Sequence, residues 1–310
     1  ENYRFRNGFA VPRAGMKTAY TAVNVDSNFA ELFIPQSGTR FLVVGQLDYV
    51  TADDGTTQTN ITRYTDGKTI SSITRVGTTA TLTTSEAHGL STGNTVTVYG
   101  ASPSQYNVTG TITSTGATTF TYTMASDPGA SATLTTASGY SLNVDNVFSG
   151  DIDDKWTGGS FYGVFVINHP VDGMYYWAGD TSVRLRRMPA WPAGQKCDAV
   201  VFFKNYILAL APTIDGVKQS HTILWGAAAE PGALPASWTA SSTNDAGDSP
   251  LPAETNGALV DGVTYGDQAY IFDQDACYGM QYIGGDAVFR VYRLPSVDGL
   301  FTARCLVKTP

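Results

Sequence analysis

Charged residues are scarce in this chain, and the features of helical or membrane proteins are largely missing. Of 310 residues only 15% are Asp, Glu, Lys or Arg, whereas about a quarter are charged in an average soluble protein. No window of about 11 residues carries the apolar spacing of an amphipathic helix. We find no signal peptide and no apolar run of ~18 residues that could span a membrane. We therefore expect a strand-rich protein with very little helix and no membrane-spanning segment.

Cysteine and histidine, the residues that form disulfides and many metal sites, are few in this chain. Cys197, Cys277 and Cys305 lie far apart in sequence without a CxxC pair, so we expect buried free thiols. The three histidines show no metal-ligand spacing, and we expect structural roles for them; they are His88, His169 and His221. No nucleophile-elbow, phosphate-loop or dinucleotide-binding motif occurs. The sequence therefore predicts a protein that is not an enzyme and has no catalytic, cofactor-binding or metal-binding residues.

The charge balance bears on nucleic-acid binding. The chain has 19 Lys and Arg against 27 Asp and Glu, a formal net charge of −8. This balance argues against a protein that grips nucleic acid by neutralising phosphates. It is compatible with a surface past which DNA slides, because a lining that repels phosphates does not retain the polymer.

Glycine and aromatic residues are plentiful, and they mark short strands joined by turns. The clearest case is residues 257–294, where the strand-like segments are 269–272, 278–283 and 287–292. We expect turns there at Asp261-Gly262, Gly266-Asp267 and Gly284-Gly285. Because the strands are apolar on both faces, they are typical of sheets stacked face to face. Stacked antiparallel meanders form the blades of a β-propeller.

Similar segments recur along the chain. We expect an extended arm over residues 1–35 and a first blade over 38–64 that lacks a clear outermost strand. After residue 140, strand-like segments lie at 161–167, 173–177, 199–203, 206–210 and 221–225. Asp-Gly pairs at 172, 215, 261 and 298 are spaced at intervals of the order expected for blades, roughly 40–50 residues. Both ends of the chain read as cut from a longer protein, so the set of blades is expected to be incomplete.

A different composition interrupts this pattern. Between residues 69 and 140 the chain is dominated by Thr, Ser, Gly and Ala, and its strands alternate apolar and polar residues. Alternation with period two predicts a small two-sheet sandwich with one solvated face. We predict three parts: residues 1–68 as arm and first blade, 69–140 as an inserted β-sandwich module, and 141–310 as further blades.

Two acidic runs and several tryptophans are the candidate site residues. Asp53 with Asp54, and Asp151, Asp153 and Asp154, could supply the carboxylate pair of a glycan-cleaving enzyme, or in the second run a Ca²⁺ site. We favour solvated turns or module junctions for both runs. The tryptophans could form a sugar-stacking platform, but we expect core positions for them; they are Trp177, Trp191, Trp225 and Trp238.

Several stretches together resemble a known family. They are ENYRFRNGFAVPRAG at the start, AHGLSTGNTVTVYGA with YNVTGTI and TTFTYTM in the Thr-rich region, and FFKNYILALAP, TILWGAAAEPGALPASW and QYIGGDAVFRVYRL further on. In this order they resemble the β-propeller virion proteins of short-tailed bacteriophages that form the tail nozzle, also called tail tubular protein B.

The resemblance implies a non-enzymatic tail component assembled in the host bacterial cytoplasm. Six copies would ring the tail axis, contact an adaptor ring and tail fibres, and leave a channel through which genome DNA passes without sequence-specific binding. Two alternatives stay open. One is a receptor- or glycan-binding fibre or adhesin that uses the Thr-rich module for recognition. The other is a polysaccharide-degrading enzyme that uses Asp151, Asp153 or Asp154.

Overall fold

The fold is all-β and consists of small antiparallel sheets. The computed structural model describes residues 3–6, 9–12, 27–135, 138–192, 194–251, 257–285, 287–295 and 297–306. In these residues the one helical element is a short 3-10 turn, Ser104–Tyr106. No helix in the described part of the chain is long and apolar enough to cross a membrane. The near absence of helix agrees with the lack of any helical apolar spacing in the sequence.

Four sheets are four-stranded antiparallel meanders, and we call them blades 1 to 4. Together they form the scaffold. A separate hairpin near the start of the chain pairs β1 (Tyr3–Arg6) with β2 (Phe9–Pro12). Blade 1 contains β3 (Phe29–Phe33), β4 (Phe41–Gly45), β5 (Val50–Asp53) and β6 (Gln58–Asn60).

The inserted module follows blade 1 and is a sandwich of two four-stranded sheets. Its strands are β7 (Tyr64–Asp66), β8 (Ile70–Val76), β9 (Thr79–Thr84), β10 (Thr95–Tyr99), β11 (Thr109–Thr111), β12 (Thr113–Ser114), β13 (Thr119–Thr123) and β14 (Gly139–Asp145). One sheet has the order β11-β10-β14-β7, and the other has the order β12-β13-β9-β8.

Blades 2 to 4 complete the scaffold. Blade 2 contains β15 (Thr157–Phe161), β16 (Val164–His169), β17 (Gly173–Trp177) and β18 (Arg186–Arg187). Blade 3 contains β19 (Ala199–Phe203), β20 (Tyr206–Leu210), β23 (Thr222–Trp225) and β24 (Gly247–Pro250), and a hairpin of β21 (Thr213–Ile214) and β22 (Val217–Lys218) lies between β20 and β23. Blade 4 contains β25 (Leu259–Tyr265), β26 (Gln268–Asp273), β27 (Cys277–Tyr282) and β28 (Phe289–Arg293).

The blades pack face to face, and each inner blade is buried on both faces. Their first strands lie innermost and contact one another in series, β3 with β15, β15 with β19, and β19 with β25. In β16, Phe165 and Ile167 pack into the core shared with blade 1, whereas Val166 packs into the core shared with blade 3. Strands with two apolar faces are therefore explained by a stack of blades. This confirms the β-propeller-like arrangement predicted from the sequence.

The module has a core of its own. Ala80 and Leu82 of β9 face Phe120 and Tyr122 of β13 and the side chain of Tyr140 within one buried cluster. The intervening threonines of β9 are more exposed, as the burial pattern of this strand shows. Residues 110–113 are divided between the two sheets, because β11 and β12 pair with β10 and β13 respectively. β7 and β14, which flank the predicted boundaries at 68 and 140, pair with each other.

Blade 1 differs from its prediction. The sequence predicted a blade over 38–64 without a clear outermost strand, but the outermost strand is present as Gln58–Asn60. The strand that lies outside the predicted range is the innermost one, Phe29–Phe33, inside the predicted arm. Phe29 and Phe33 are buried against blade 2, so packing rather than local pattern defines this strand. The remainder of the predicted arm, apart from 3–6, 9–12 and residues from 27 onwards, lies outside the described residues.

Several predicted turns and strands were also wrong. The segment 161–167 is two strands separated by a turn at Tyr162 and Gly163, which both have positive φ. Asp261-Gly262 is inside β25 at a change of register with β26, so this pair marks a bulge and not a turn. Gly299 approaches backbone closely: a Cβ added there would lie 2.2 Å from the carbonyl carbon of Gln274. Gly262 and Gly299 therefore serve a bulge and a close backbone contact, and neither forms a hairpin turn.

Candidate functional site

The first acidic run caps a turn in blade 1. Asp53 is buried and accepts a hydrogen bond from the backbone N–H of Gly55 at 2.7 Å. Asp54 accepts from the N–H groups of Thr56 and Thr57, both at 2.8 Å. These carboxylates hold the connection between β5 and β6 in shape, so the expectation of a turn is confirmed. The finding that Asp53 is buried was not anticipated.

The second acidic run forms a tight turn of its own. Asp154 Oδ2 accepts from the N–H of Asp151 at 2.9 Å, and Asp151 Oδ1 accepts from the N–H of Asp153 at 2.8 Å. Both bonds satisfy the turn itself. Among the residues that the structure describes, no group of three or more His, Cys, Asp or Glu side chains is placed to hold a metal ion.

The buried positions predicted for the tryptophans are confirmed, whereas the prediction of buried thiols holds for two of the three cysteines. Trp177, Trp191, Trp225 and Trp238 are all buried. Cys197 and Cys277 are buried as expected, but Cys305 is exposed and corrects that prediction. Local pattern could not reveal this, because Cys305 lies in an irregular segment after the last strand.

The histidines occupy three different settings. His88 Nδ1 accepts from the N–H of Leu90, while its Nε2 lies 2.9 Å from the carbonyl of Gly116. His169 is buried beside Asp172 at the end of β16. Nε2 of His221 is buried, and none of the described residues provides a hydrogen-bond partner for it. Of the three, His169 belongs to a larger buried polar cluster.

That cluster is centred on Arg63, at the point where the chain passes from blade 1 into the module. The Arg63 guanidinium donates to the carbonyl oxygens of Asn146 at 3.1 Å and Val147 at 3.4 Å, just after β14. It also donates to the Tyr175 hydroxyl and, at 2.7 Å, to Oδ1 of Asp172 in blade 2. One side chain therefore ties both ends of the module to the scaffold.

Asp172 is the carboxylate that balances this buried guanidinium. Its Oδ2 accepts from the N–H of Ser149 at 2.7 Å and lies 3.2 Å from Nδ1 of His169. Burial alone would raise the pKa of Asp172, but hydrogen bonds from His169 and Ser149 and the charge of Arg63 hold the pKa below its ordinary value. Asp172 is therefore kept ionised, as a buried partner of an arginine must be.

Aromatic rings pack against the buried Arg63 guanidinium. The Arg63 guanidinium carbon lies 4.6 Å from the ring centroid of Phe148, which packs edge-on against Trp156 at 4.6 Å. Tyr175 lies next to Phe148, with 5.3 Å between their ring centroids and 5.1 Å from its ring to the guanidinium carbon. Burial raises the pKa of Tyr175 to about 12. The neutral rings provide cation–π contacts, which strengthen when desolvated.

A second set of contacts joins the module to the outer part of blade 2. We call Arg184, Arg186 and Arg187 the arginine clamp. Arg186 lies over the ring of Tyr99 in β10, with 4.2 Å to the centroid. Arg187 forms an ion pair of 2.5 Å with Asp66 in β7, and Arg184 lies 3.4 Å from a carboxylate oxygen of Asp145 in β14. The clamp therefore contacts three strands of one module sheet.

These contacts attach the module to the scaffold at two places. Arg63 fixes the base of the module, and the arginine clamp fixes one of its sheets against blade 2. Sequence reasoning did not identify these residues, although the run RLRR at 184–187 was visible as three arginines within four positions. In a chain with few charges, such a run was the available signal of a polar contact surface.

Comparisons with known proteins add little to this geometry. No family model matches the chain, and no curated protein matches its sequence. Among solved structures, the chain is similar to the phage phi92 endosialidase with 14% identity and a TM-score of 0.27, covering 79% of this chain and 40% of that one. It is also similar to YCF48 from Cyanidioschyzon merolae with 11% identity and a TM-score of 0.31, covering 92% and 90%. At these scores the fold assignment rests on the sheets themselves.

Proposed function

We propose that this chain is a structural subunit of a phage tail nozzle and not an enzyme. In this proposal several copies, six by the family resemblance, form a ring around the tail axis. The ring contacts an adaptor and tail fibres and leaves a conduit for genome DNA. Assembly takes place in the cytoplasm of the bacterial host.

The observation that carries the proposal is the fixed attachment of the module to the scaffold. Arg63 and the arginine clamp connect the module at its base and along one sheet. A component of a symmetric particle needs such rigidity, because every copy must present the same surfaces in the same orientation. The carboxylates offered as catalytic candidates instead cap their own turns.

The charge of the chain supports the conduit. A formal net charge of −8 does not favour retention of phosphates, so DNA could move past such a surface without being held. The conduit would act through shape and repulsion.

Electron microscopy of the assembled phage tests the proposal. The expected result is density for a ring of identical subunits around the tail axis, each with one projecting module in one orientation. A purified protein that stays monomeric and is absent from the tail would contradict it. As a matched comparison, the combined change of Arg184, Arg186 and Arg187 to alanine should blur the module density, whereas Arg290→Ala, at an exposed arginine of blade 4, should leave it sharp.

A receptor- or glycan-binding role is the second candidate, favoured by the polar face of the module. Thr97 Oγ1 lies 2.9 Å from both Thr109 Oγ1 and Asn143 Oδ1, so hydroxyl and amide groups line up across three strands of one sheet. This role predicts saturable binding of the intact chain to host polysaccharide that is lost when residues 69–140 are deleted. A chain that assembles into tails but shows no such binding would leave the nozzle proposal alone.

A further inference from the structure

In the described part of the chain, blade 4 and blade 1, the two ends of the blade series, are not joined by packed first strands as the other neighbouring blades are. β3, β15, β19 and β25 contact one another in series, but among the described strands β25 and β3 do not pack together in this way. The space between blade 4 and blade 1 is crossed by residues 299–306, which follow the last strand. We call these residues the clasp.

The clasp is anchored to blade 4 through its backbone. Leu300 N–H donates to the carbonyl of Asp273 at 2.8 Å, and Arg304 N–H donates to Oδ2 of Asp261 at 2.8 Å. Gly299 allows the chain to approach the backbone near Gln274, where any Cβ would clash. Asp261 is buried at the bulge of β25, so the bulge that the sequence suggested as a turn provides an anchor for this segment.

The clasp contacts blade 1 through the side chain of Arg304. The Arg304 guanidinium lies 3.7 Å from a carboxylate oxygen of Glu31 in β3. Its central carbon is 4.7 Å from the ring centroid of Phe29, on the same strand. Arg304 therefore touches blade 4 with its backbone and blade 1 with its side chain.

An axial cavity lies beside the clasp. It has a volume of about 490 Å³ and is lined by the first strand of every blade, together with Arg304 and Leu306 of the clasp. Each blade contributes its innermost strand, so the width of the cavity depends on the spacing of blade 4 and blade 1. Among the described strands, no closely packed pair defines that spacing.

We propose that the clasp is a reversible closing device, in which Arg304 sets the spacing of blade 4 and blade 1 and closes the axial cavity. An ion pair between exposed side chains contributes little, and a partly exposed cation–π contact adds only modestly. The clasp therefore opens more easily than any blade-to-blade core, in keeping with local opening of weakly packed segments. This inference does not depend on the proposed function.

The test compares Arg304→Ala with Arg290→Ala in the full chain. Hydrogen exchange of residues 299–306 should become roughly 5- to 10-fold faster in Arg304→Ala, the range for an exposed ion pair and a cation–π contact together. Exchange in β16 and β20 should not change. Glu31→Gln should produce a smaller acceleration of exchange, because Arg304 keeps its contact with the Phe29 ring in this variant. In Arg290→Ala the exchange of residues 299–306 should match that of the unaltered chain.

A distance measurement gives an independent readout of blade spacing. Spin labels at Thr56→Cys in blade 1 and Asp267→Cys in blade 4 report this spacing in a Cys305→Ser background, since the other two cysteines are buried. The distance distribution should broaden and move to longer distances when Arg304→Ala is added. Unchanged exchange and an unchanged distribution in a folded Arg304→Ala variant would overturn the proposal. Faster exchange without a change in distance would also overturn it, because Arg304 would not then set the spacing.

Discussion

Strand β16 in the scaffold and strand β9 in the module bury their side chains in different ways. All six residues of β16 are buried, because the strand lies inside a stack and both of its faces meet another blade. β9 alternates between buried and more exposed positions, because only one of its faces meets the opposite sheet. The amino-acid usage follows: aromatic and aliphatic side chains fill the blades, whereas threonine covers the outside of the sandwich. Composition can thus mark a change of architecture within one chain.

The largest expected effect comes from removing a core ring in each region. Phe289 contacts Tyr206 and Trp225 across the core of blades 3 and 4, and Phe120 contacts Tyr140 in the module. Each change to alanine should cost about 3–5 kcal/mol. Calorimetry should show that Phe289→Ala lowers the unfolding temperature of the scaffold and that Phe120→Ala lowers the unfolding temperature of the module. Equal shifts of one common transition in both variants would show that the two regions unfold as one unit.

The next largest effect concerns the buried pair that connects the regions. Asp172→Asn leaves Arg63 without its charged partner and should cost about 3 kcal/mol at pH 7. The folded pKa of Asp172 is lower than its ordinary value of about 3.9. Its contribution is therefore complete above that value and is lost as pH falls below it.

Urea denaturation at pH 7 and at pH 3 checks this prediction. The difference in unfolding free energy between the variant and the unaltered chain should shrink at the lower pH. Asp151→Asn, in an exposed turn, is the control and should show a much smaller difference at both values. A difference for Asp172→Asn that is independent of pH would contradict the ionised state of the carboxylate.

A smaller effect is expected for the arginine clamp. Arg186→Ala removes the cation–π contact with Tyr99 and should cost about 0.5–2 kcal/mol. Because the contact lies between the regions, the change should loosen their attachment and leave each core intact. Limited proteolysis should cut the connections at the base of the module faster, with Arg290→Ala as the matched control. Loss of the module transition in calorimetry would instead mean that the clamp supports the module core.

The smallest effect is expected on the solvated side of the module. Val76 is 86% exposed at the end of β8, so Val76→Thr should change the unfolding free energy by no more than about 0.5 kcal/mol. A thermal melt in parallel with Val98→Thr, at a buried position of β10, gives the contrast. A large effect of Val76→Thr would show that this face of the module is covered.

The sequence was sufficient for the kind of sheet but not for the contacts between sheets. Apolar residues on both faces predicted stacked blades, and alternating threonines predicted the sandwich, because these patterns depend on local periodicity. Strand β3 was missed because its partner faces, in blade 2, are distant in sequence. Arg63 and the arginine clamp were missed for the same reason. The partners of Arg63 lie 83 to 112 residues away in sequence, and the partner of Arg187 lies 121 residues away. The pairs Asp261-Gly262 and Asp298-Gly299 have the sequence of turns. Their actual roles depend on the bulge in β25 and on the close approach of Gly299 to the backbone of Gln274.

The pairing of β7 with β14 has a consequence for the order of folding. Tyr64 lies opposite Asp145 in this pair, so the folded module brings together the two chain ends that connect blade 1 to blade 2. Loop-closure entropy depends on the length of flexible chain between two points. Once the module has folded, the long connection between β6 and β15 acts as a short one, and the docking of blades 1 and 2 loses much less entropy. A module that folds first would therefore speed assembly of the scaffold from which it projects.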